Sequence, residues 1–188
     1  MAALSLYTVQ AVLVLDSNGK RVFSQYYGPP HGPAGGRAAA SRDAQRAFEK
    51  GLFAKTRKQA TDILLYDGSV VVYKEIVDVV LYVVGAGDAN ESLLYLTVVA
   101  LRDALDILLK HAVDRRTIVD GYDLVALAID ETVDDGIIIE TDAEAIAGRV
   151  SRPLTHDTPG RLDLSEQGLK SAYQLAKERF AERLKNSL

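Results

Sequence analysis

Between Asp62 and Val84 three apolar stretches follow one another with almost nothing between them. Asp62–Tyr66 leads into Asp67-Gly68, then Val70–Lys74, then Val77–Val84. Valine, leucine and tyrosine fill them, which suits strands. A turn this short folds a strand back antiparallel, because a parallel return needs a crossover of about a dozen residues or more. Asp-Gly supplies the positive φ that a tight hairpin requires. The chain is therefore committed to an antiparallel sheet, and a series of βαβ units is excluded.

The N-terminal part adds a second hairpin. Tyr7–Leu15 is apolar on both faces, as in a central strand covered on both sides. Asp16-Ser17-Asn18-Gly19 is a turn, and Arg21–Tyr27 returns from it. The apolar run Ala11–Leu15 reads as a buried strand rather than a signal peptide, since no basic segment precedes it and Asp16 interrupts it. No apolar run reaches the roughly 18–20 residues of a membrane span. The start MAALS offers no myristoylation glycine, and without cysteine there is no prenylation site.

Helices fill the rest. Gly28–Ala40 is a Gly- and Pro-rich, low-complexity loop. Ser41 caps a helix running to about Lys55, with Ala44, Ala47, Phe48 and Leu52 on one face. Asn90 caps a long helix ending near His111. Leu94, Val98, Leu101, Leu105 and Leu108 repeat at helical spacing, and Leu93, Leu96, Ala100, Ala104 and Ile107 widen that face for a sheet. Tyr95, Arg102, Asp103, Asp106 and Lys110 form the polar stripe, in which Val99 is an exposed apolar residue. Short helices are expected near Arg115–Val119, Leu124–Thr132 and Ala143–Val150. Pro153–Arg161 reads as a linker, and Asp163 with Glu166 as a capping box for a last amphipathic helix carrying Leu169, Tyr173, Ala176, Phe180 and Leu184. Two strands, a helix, three strands and then helices make an α+β chain.

With 188 residues, 48% of them hydrophobic, the chain can build one domain with a real core and some extra length. A net charge of −4 argues against nucleic acid and against a polybasic membrane anchor. The absence of cysteine excludes disulfides, a thiol nucleophile and cysteine metal sites, and fits a reducing cytosol.

Little else points to chemistry. Gly85-Ala86-Gly87 covers half of a dinucleotide fingerprint, but Asn90 stands where the third glycine belongs and Asp88 opposes a phosphate at the helix start. A strand-to-helix turn is the simpler reading. His31, His111 and His156 are scattered and belong to no Ser-His-Asp or HExxH pattern. Tyr66, Tyr73 and Tyr82 read as sheet packing. Asp130, Glu131, Asp134 and Asp135 crowd carboxylates at the end of an apolar helix. They lack the EF-hand spacing, and the readings are a solvated acidic edge, a contact for a partner's basic patch and, last, a magnesium or calcium site. Tyr95 and Val99 on the outer side of the long helix suit a protein contact. The candidate partner-binding residues are thus Tyr95, Val99, Asp130, Asp134 and Asp135.

Four segments in order, SLYTVQAVLVLDSNGKRVFSQYY, AFEKGLFAKT, VVYKEIVDVVLYVVG and LAIDETVDDGIIIETD, resemble the zeta subunits of the COPI vesicle coat, coatomer. More distantly the chain resembles the sigma subunits of clathrin adaptors. Sigma subunits carry an aromatic-rich helix where this chain has LVALAIDE, which favours zeta. The resemblance implies a longin-like five-stranded antiparallel sheet flanked by helices over residues 1–150, with the loop at 28–42. A linker at 151–162 and a C-terminal amphipathic helix at 163–188 would follow. It also implies a non-enzymatic subunit without cofactors, in a constitutive heterodimer with the coatomer gamma subunit and joined to other coatomer subunits. An Arf-family GTPase would act through the complex, with peripheral membrane association on Golgi membranes and COPI vesicles through the coat. A sigma-type adaptor subunit and a longin domain regulating a small GTPase are the alternatives.

Overall fold

The doubly apolar N-terminal run forms β1 (Val9–Asp16), and β2 (Arg21–Tyr26) returns antiparallel beside it. Gly19 at φ +76 makes the turn. Buried Asp16 secures it by accepting from the backbone N–H groups of Asn18 and Lys20 at 2.8 and 2.9 Å. The expected meander is β3 (Ile63–Tyr66), β4 (Ser69–Ile76) and β5 (Val79–Gly85). β5 also pairs with β1, giving an all-antiparallel sheet in the order β2-β1-β5-β4-β3. The computed structural model describes residues 8–28, 41–57, 59 and 61–151. Residues 29–40 of the expected loop, the linker beyond Ser151 and the helix over 163–188 lie outside the described residues.

One strand boundary differs from expectation. Val77 belongs to the turn, not to β5, because Ile76 pairs directly with Val79. The two-residue connection is therefore Val77-Asp78.

Helices lie on both faces. α1 (Arg42–Thr56) is capped by Ser41, whose hydroxyl accepts from the Ala44 N–H at 3.1 Å. α2 (Glu91–Leu108) is capped by Asn90, whose side chain accepts from the N–H groups of Ser92 and Leu93 at 3.0 and 3.3 Å. α3 (Arg115–Asp120), α4 (Tyr122–Thr132), a small hairpin of β6 (Val133–Asp134) and β7 (Ile137–Ile138), and α5 (Ala143–Ser151) follow. Among the described residues no helix is long and apolar enough to cross a membrane.

Alternation along the strands sends successive side chains to opposite faces. Val12, Val14, Leu81 and Val83 meet Leu94, Val98 and Leu101 of α2, with Ile118, Ile129 and Ile146 from α3, α4 and α5. Leu13, Leu15, Val71 and Tyr82 form the other face with Phe48 and Leu52 of α1. The neighbours β1 and β5 are buried at every position but Gln10, as two-sided cover demands. This is the longin-like α+β architecture expected.

Two details correct the helix readings. On α1, Ala47 is exposed and Glu49 takes a buried place beside Phe48, Leu52 and Thr56. A paired carboxylate can enter a core that periodicity reserves for apolar residues. On α2, the buried arc is Leu94, Thr97, Val98, Ala100, Leu101, Ala104 and Leu105, while Leu93, Leu96 and Ile107 are exposed. The helix packs against β4 and β5 and also against α4 and α5, so two contacts set the arc.

Gly85-Ala86-Gly87 is a packing turn. A Cβ on Gly85 would stand 2.5 Å from Leu94 Cδ1, and one on Gly87 would stand 2.3 Å from the Gly68 carbonyl oxygen.

Candidate protein-interaction surfaces

The acidic segment is built by the end of α4. The Thr132 hydroxyl donates back to the Ala128 carbonyl at 2.7 Å, and Val133 turns extended at φ −135. Asp135 and Gly136, at φ +45 and +84, then reverse the chain between β6 and β7. The hairpin is anchored to the sheet, because the Val9 N–H donates to the Gly136 carbonyl at 3.0 Å. Asp134 and Asp135 therefore stand on a hairpin rather than on a helix end, and of the four carboxylates Asp130 and Glu131 face the unfavourable end of the α4 dipole.

Three of the four carboxylates converge. Burial holds the Tyr27 hydroxyl far above its usual ionisation range, and the negative charges of Asp130, Asp134 and Asp135 push it further. The hydroxyl donates to the Val133 carbonyl at 3.4 Å. All three aspartates are exposed, and none has a basic partner among the described residues. Glu131 is separated from them. Arg149 of α5 lies 3.6 Å from its carboxylate and 2.9 Å from that of Glu140. Glu131 thus shares a cation, whereas Asp130 at the end of α4 and Asp134 and Asp135 on the hairpin carry uncompensated negative charge among the described residues.

The second expected surface is arranged differently from its sequence reading. Tyr95 is half-buried, and its hydroxyl accepts from Lys74 Nζ at 3.0 Å. Lys74 also bonds Asp62, and these two partners, Asp62 first, raise the Lys74 pKa. Val99 is half-buried against the core instead of standing free in a polar stripe. The more exposed apolar residues of α2 are Leu96, at 56%, and Ile107, at 43%. Sequence periodicity places both on the buried side. Leu127 of α4 and Ile139, just after β7, are half-exposed.

His111 is exposed, with Nδ1 2.6 Å from an Asp106 carboxylate oxygen. Among the described residues no group of three His, Asp or Glu side chains is placed to hold a metal ion.

A family model described as the clathrin adaptor complex small chain matches residues 8–155. The chain belongs to that family. Within it the similarity is to coatomer zeta subunits. Coatomer subunit zeta of Saccharomyces cerevisiae is 45% identical over 190 aligned positions, covering 100% of both chains. Zeta-3 of Oryza sativa subsp. japonica is 40% identical, covering 93% of this chain and 94% of its own. Human zeta-1 is 37% identical, covering 94% and 92%. A chain in a homology model of the full-length AP-3 complex in a stretched open conformation superposes with a TM-score of 0.58 at 12% identity, over 91% of this chain and 98% of that one. That last likeness concerns the fold alone. The clathrin adaptor small-chain fold and the zeta relatives make this a small subunit of a vesicle coat.

Proposed function

We propose that the chain is the zeta-type subunit of a COPI coat, held constitutively by the coatomer gamma subunit, and that it works by binding rather than by catalysis. The observation that carries this reading is end-to-end similarity to a coatomer zeta subunit at 45% identity. In this reading the heterodimer joins the other coatomer subunits. A GTP-bound Arf-family GTPase recruits the coat from the cytoplasm to Golgi membranes, so the nucleotide belongs to that GTPase. Membrane association is peripheral, and the vesicles serve Golgi-to-ER and intra-Golgi transport.

Two surfaces are offered to partners. Asp130, Asp134 and Asp135 suit a basic patch, since their charge is uncompensated within the described chain. The outer side of α2 supplies Leu96 and Ile107, with Tyr95 and Val99 at its margin. A permanent interface of this kind buries on the order of 2,000 Å² or more. The test is a tagged-chain pull-down from cytosol at near-physiological salt, with bound proteins identified by mass spectrometry. Recovery of the COPI coat with a stoichiometric gamma subunit is expected. Recovery of clathrin-adaptor large chains, or of a GTPase without a coat, would sink the reading. Asp134→Lys with Asp135→Lys is expected to weaken gamma binding and flatten its salt dependence.

A further inference from the structure

Among the described residues four tight turns reverse strands. Three use residues suited to a left-handed backbone: Gly19 at φ +76, Asp67-Gly68 at +49 and +76, and Asp135-Gly136 at +45 and +84. The fourth, between β4 and β5, places Val77 at φ +49. Such positions take Gly, Asn or Asp, and a β-branched residue there is a genuine outlier. Its own fold gains nothing in return, because Val77 is 91% exposed, the most exposed large hydrophobic residue described.

The tip is also tied to its neighbours. Asp78 Oδ1 accepts from the Arg115 N–H at 2.8 Å, and Arg115 Nε lies 3.7 Å from an Asp16 carboxylate oxygen. The β4–β5 tip is thereby tied to α3 and to the β1–β2 turn. Beside it is a recess of about 190 Å³ whose walls include Phe53, Thr56, Arg57, Glu75, Val77 and Val80. Strain retained at an exposed apolar residue on a tethered turn is what a contact outside the chain would explain.

From this we infer that Val77 is a preformed apolar knob for a pocket on the large coat subunit that holds this chain, with a side chain of that subunit entering the adjacent recess. The inference rests on the coat-subunit reading above and deepens it. A rigid protein pocket is the occupant that fits. A short β-branched side chain on a tethered turn has few rotamers to lose and so gives up little entropy on binding. A lipid surface does not fit, because the Glu75 and Asp78 carboxylates flank the tip and anionic leaflets attract basic residues instead. A second copy paired tip to tip about a two-fold axis would bring those carboxylates together.

Full-length wild type, Val77→Asn and Val77→Thr are compared for thermal melting and for binding to the purified gamma subunit. Asn tolerates the turn conformation, so Val77→Asn is expected to melt higher than wild type yet bind at least tenfold more weakly. Thr keeps the β-branch and the strain but loses the apolar surface, so Val77→Thr is expected to melt with wild type and also bind more weakly. Binding of both variants within twofold of wild type would overturn the inference and leave the coat-subunit reading standing. Failure of the wild type itself to bind would overturn both. A Val77→Asn variant that melts no higher would remove the strain on which the inference is built.

Discussion

Arg21 of the edge strand β2 closes on Glu49 of α1. Its Nε donates to Glu49 Oε2 at 3.0 Å, and a second guanidinium nitrogen lies 2.6 Å from Oε1. The Tyr26 hydroxyl donates to the same Oε1 at 2.9 Å. Glu49 is only 3% exposed, so its carboxylate has left water and depends on these donors. Arg21→Ala strands that charge and is expected to cost about 3 kcal/mol. Replacing both residues by Met removes charge and partner together and should cost less than Arg21→Ala alone. Urea midpoints at unchanged m-value measure both, and a double variant less stable than Arg21→Ala would contradict the account.

Glycines separate conformational from packing constraints. A Cβ on Gly68 meets open space, so Gly68→Ala should cost only the left-handed penalty, about 1–2 kcal/mol. Gly136 has the same kind of backbone, but its Cβ would stand 2.7 Å from the Val9 carbonyl oxygen. Gly136→Ala should therefore cost clearly more. Gly148 lies in α5 with nothing within 4 Å, and Gly148→Ala should stabilise by about 0.5–1 kcal/mol. Denaturant unfolding of the three variants tests the ranking. Equal losses at positions 68 and 136 would be the adverse result.

Tyr73 and Tyr82 are cross-strand partners with ring centroids 5.6 Å apart. The Tyr82 hydroxyl shares a buried hydrogen bond with the Thr56 hydroxyl at 2.9 Å, and burial pushes its pKa up to about 12. The buried Tyr73 hydroxyl has no partner among the described residues. Tyr82→Phe should cost about 1 kcal/mol, whereas Tyr73→Phe should be neutral or stabilising. Thermal melting of the two variants would expose a reversed order.

Acid sensitivity should trace to two carboxylates. Asp114 caps α3 by accepting from the Thr117 N–H, which lowers its pKa below the ordinary value. Glu140 is lowered by the N–H groups of Thr141 and Asp142, with a smaller contribution from Arg149. A depressed folded pKa contributes stability above the unfolded value, about 3.9 for Asp and 4.3 for Glu, and loses it as pH falls through the folded value. Asp114→Asn and Glu140→Gln should each flatten the loss of stability below about pH 4. Urea midpoints across the acid range measure this; slopes matching wild type would refute it.

Local chemistry makes much of the fold legible. The Asp67-Gly68 and Asn18-Gly19 turns, the Ser41 and Asn90 caps and the two-sided apolar run before Asp16 are each recognised within a few residues. Each forms where the sequence places it. The acidic surface is half legible. The four carboxylates are conspicuous, but nothing in their spacing says that Arg149 draws Glu131 away while Asp130, Asp134 and Asp135 gather near Tyr27.

The sequence by itself determines the antiparallel meander and the element order, because turns, caps and periodicity are short-range properties; the coat-subunit kinship rests instead on the resemblance of whole segments. Only the tertiary structure decides which residues face outward. Leu96 and Ile107 are exposed and Val99 is tucked in, since α2 is bounded by β4 and β5 as well as by α4 and α5. Glu49 is buried because Arg21 and Tyr26 meet it from a different strand. Val77 stands in a turn because Ile76 and Val79 pair. Periodicity reveals that a helix or strand has a buried side; neighbours far along the chain set where that side ends.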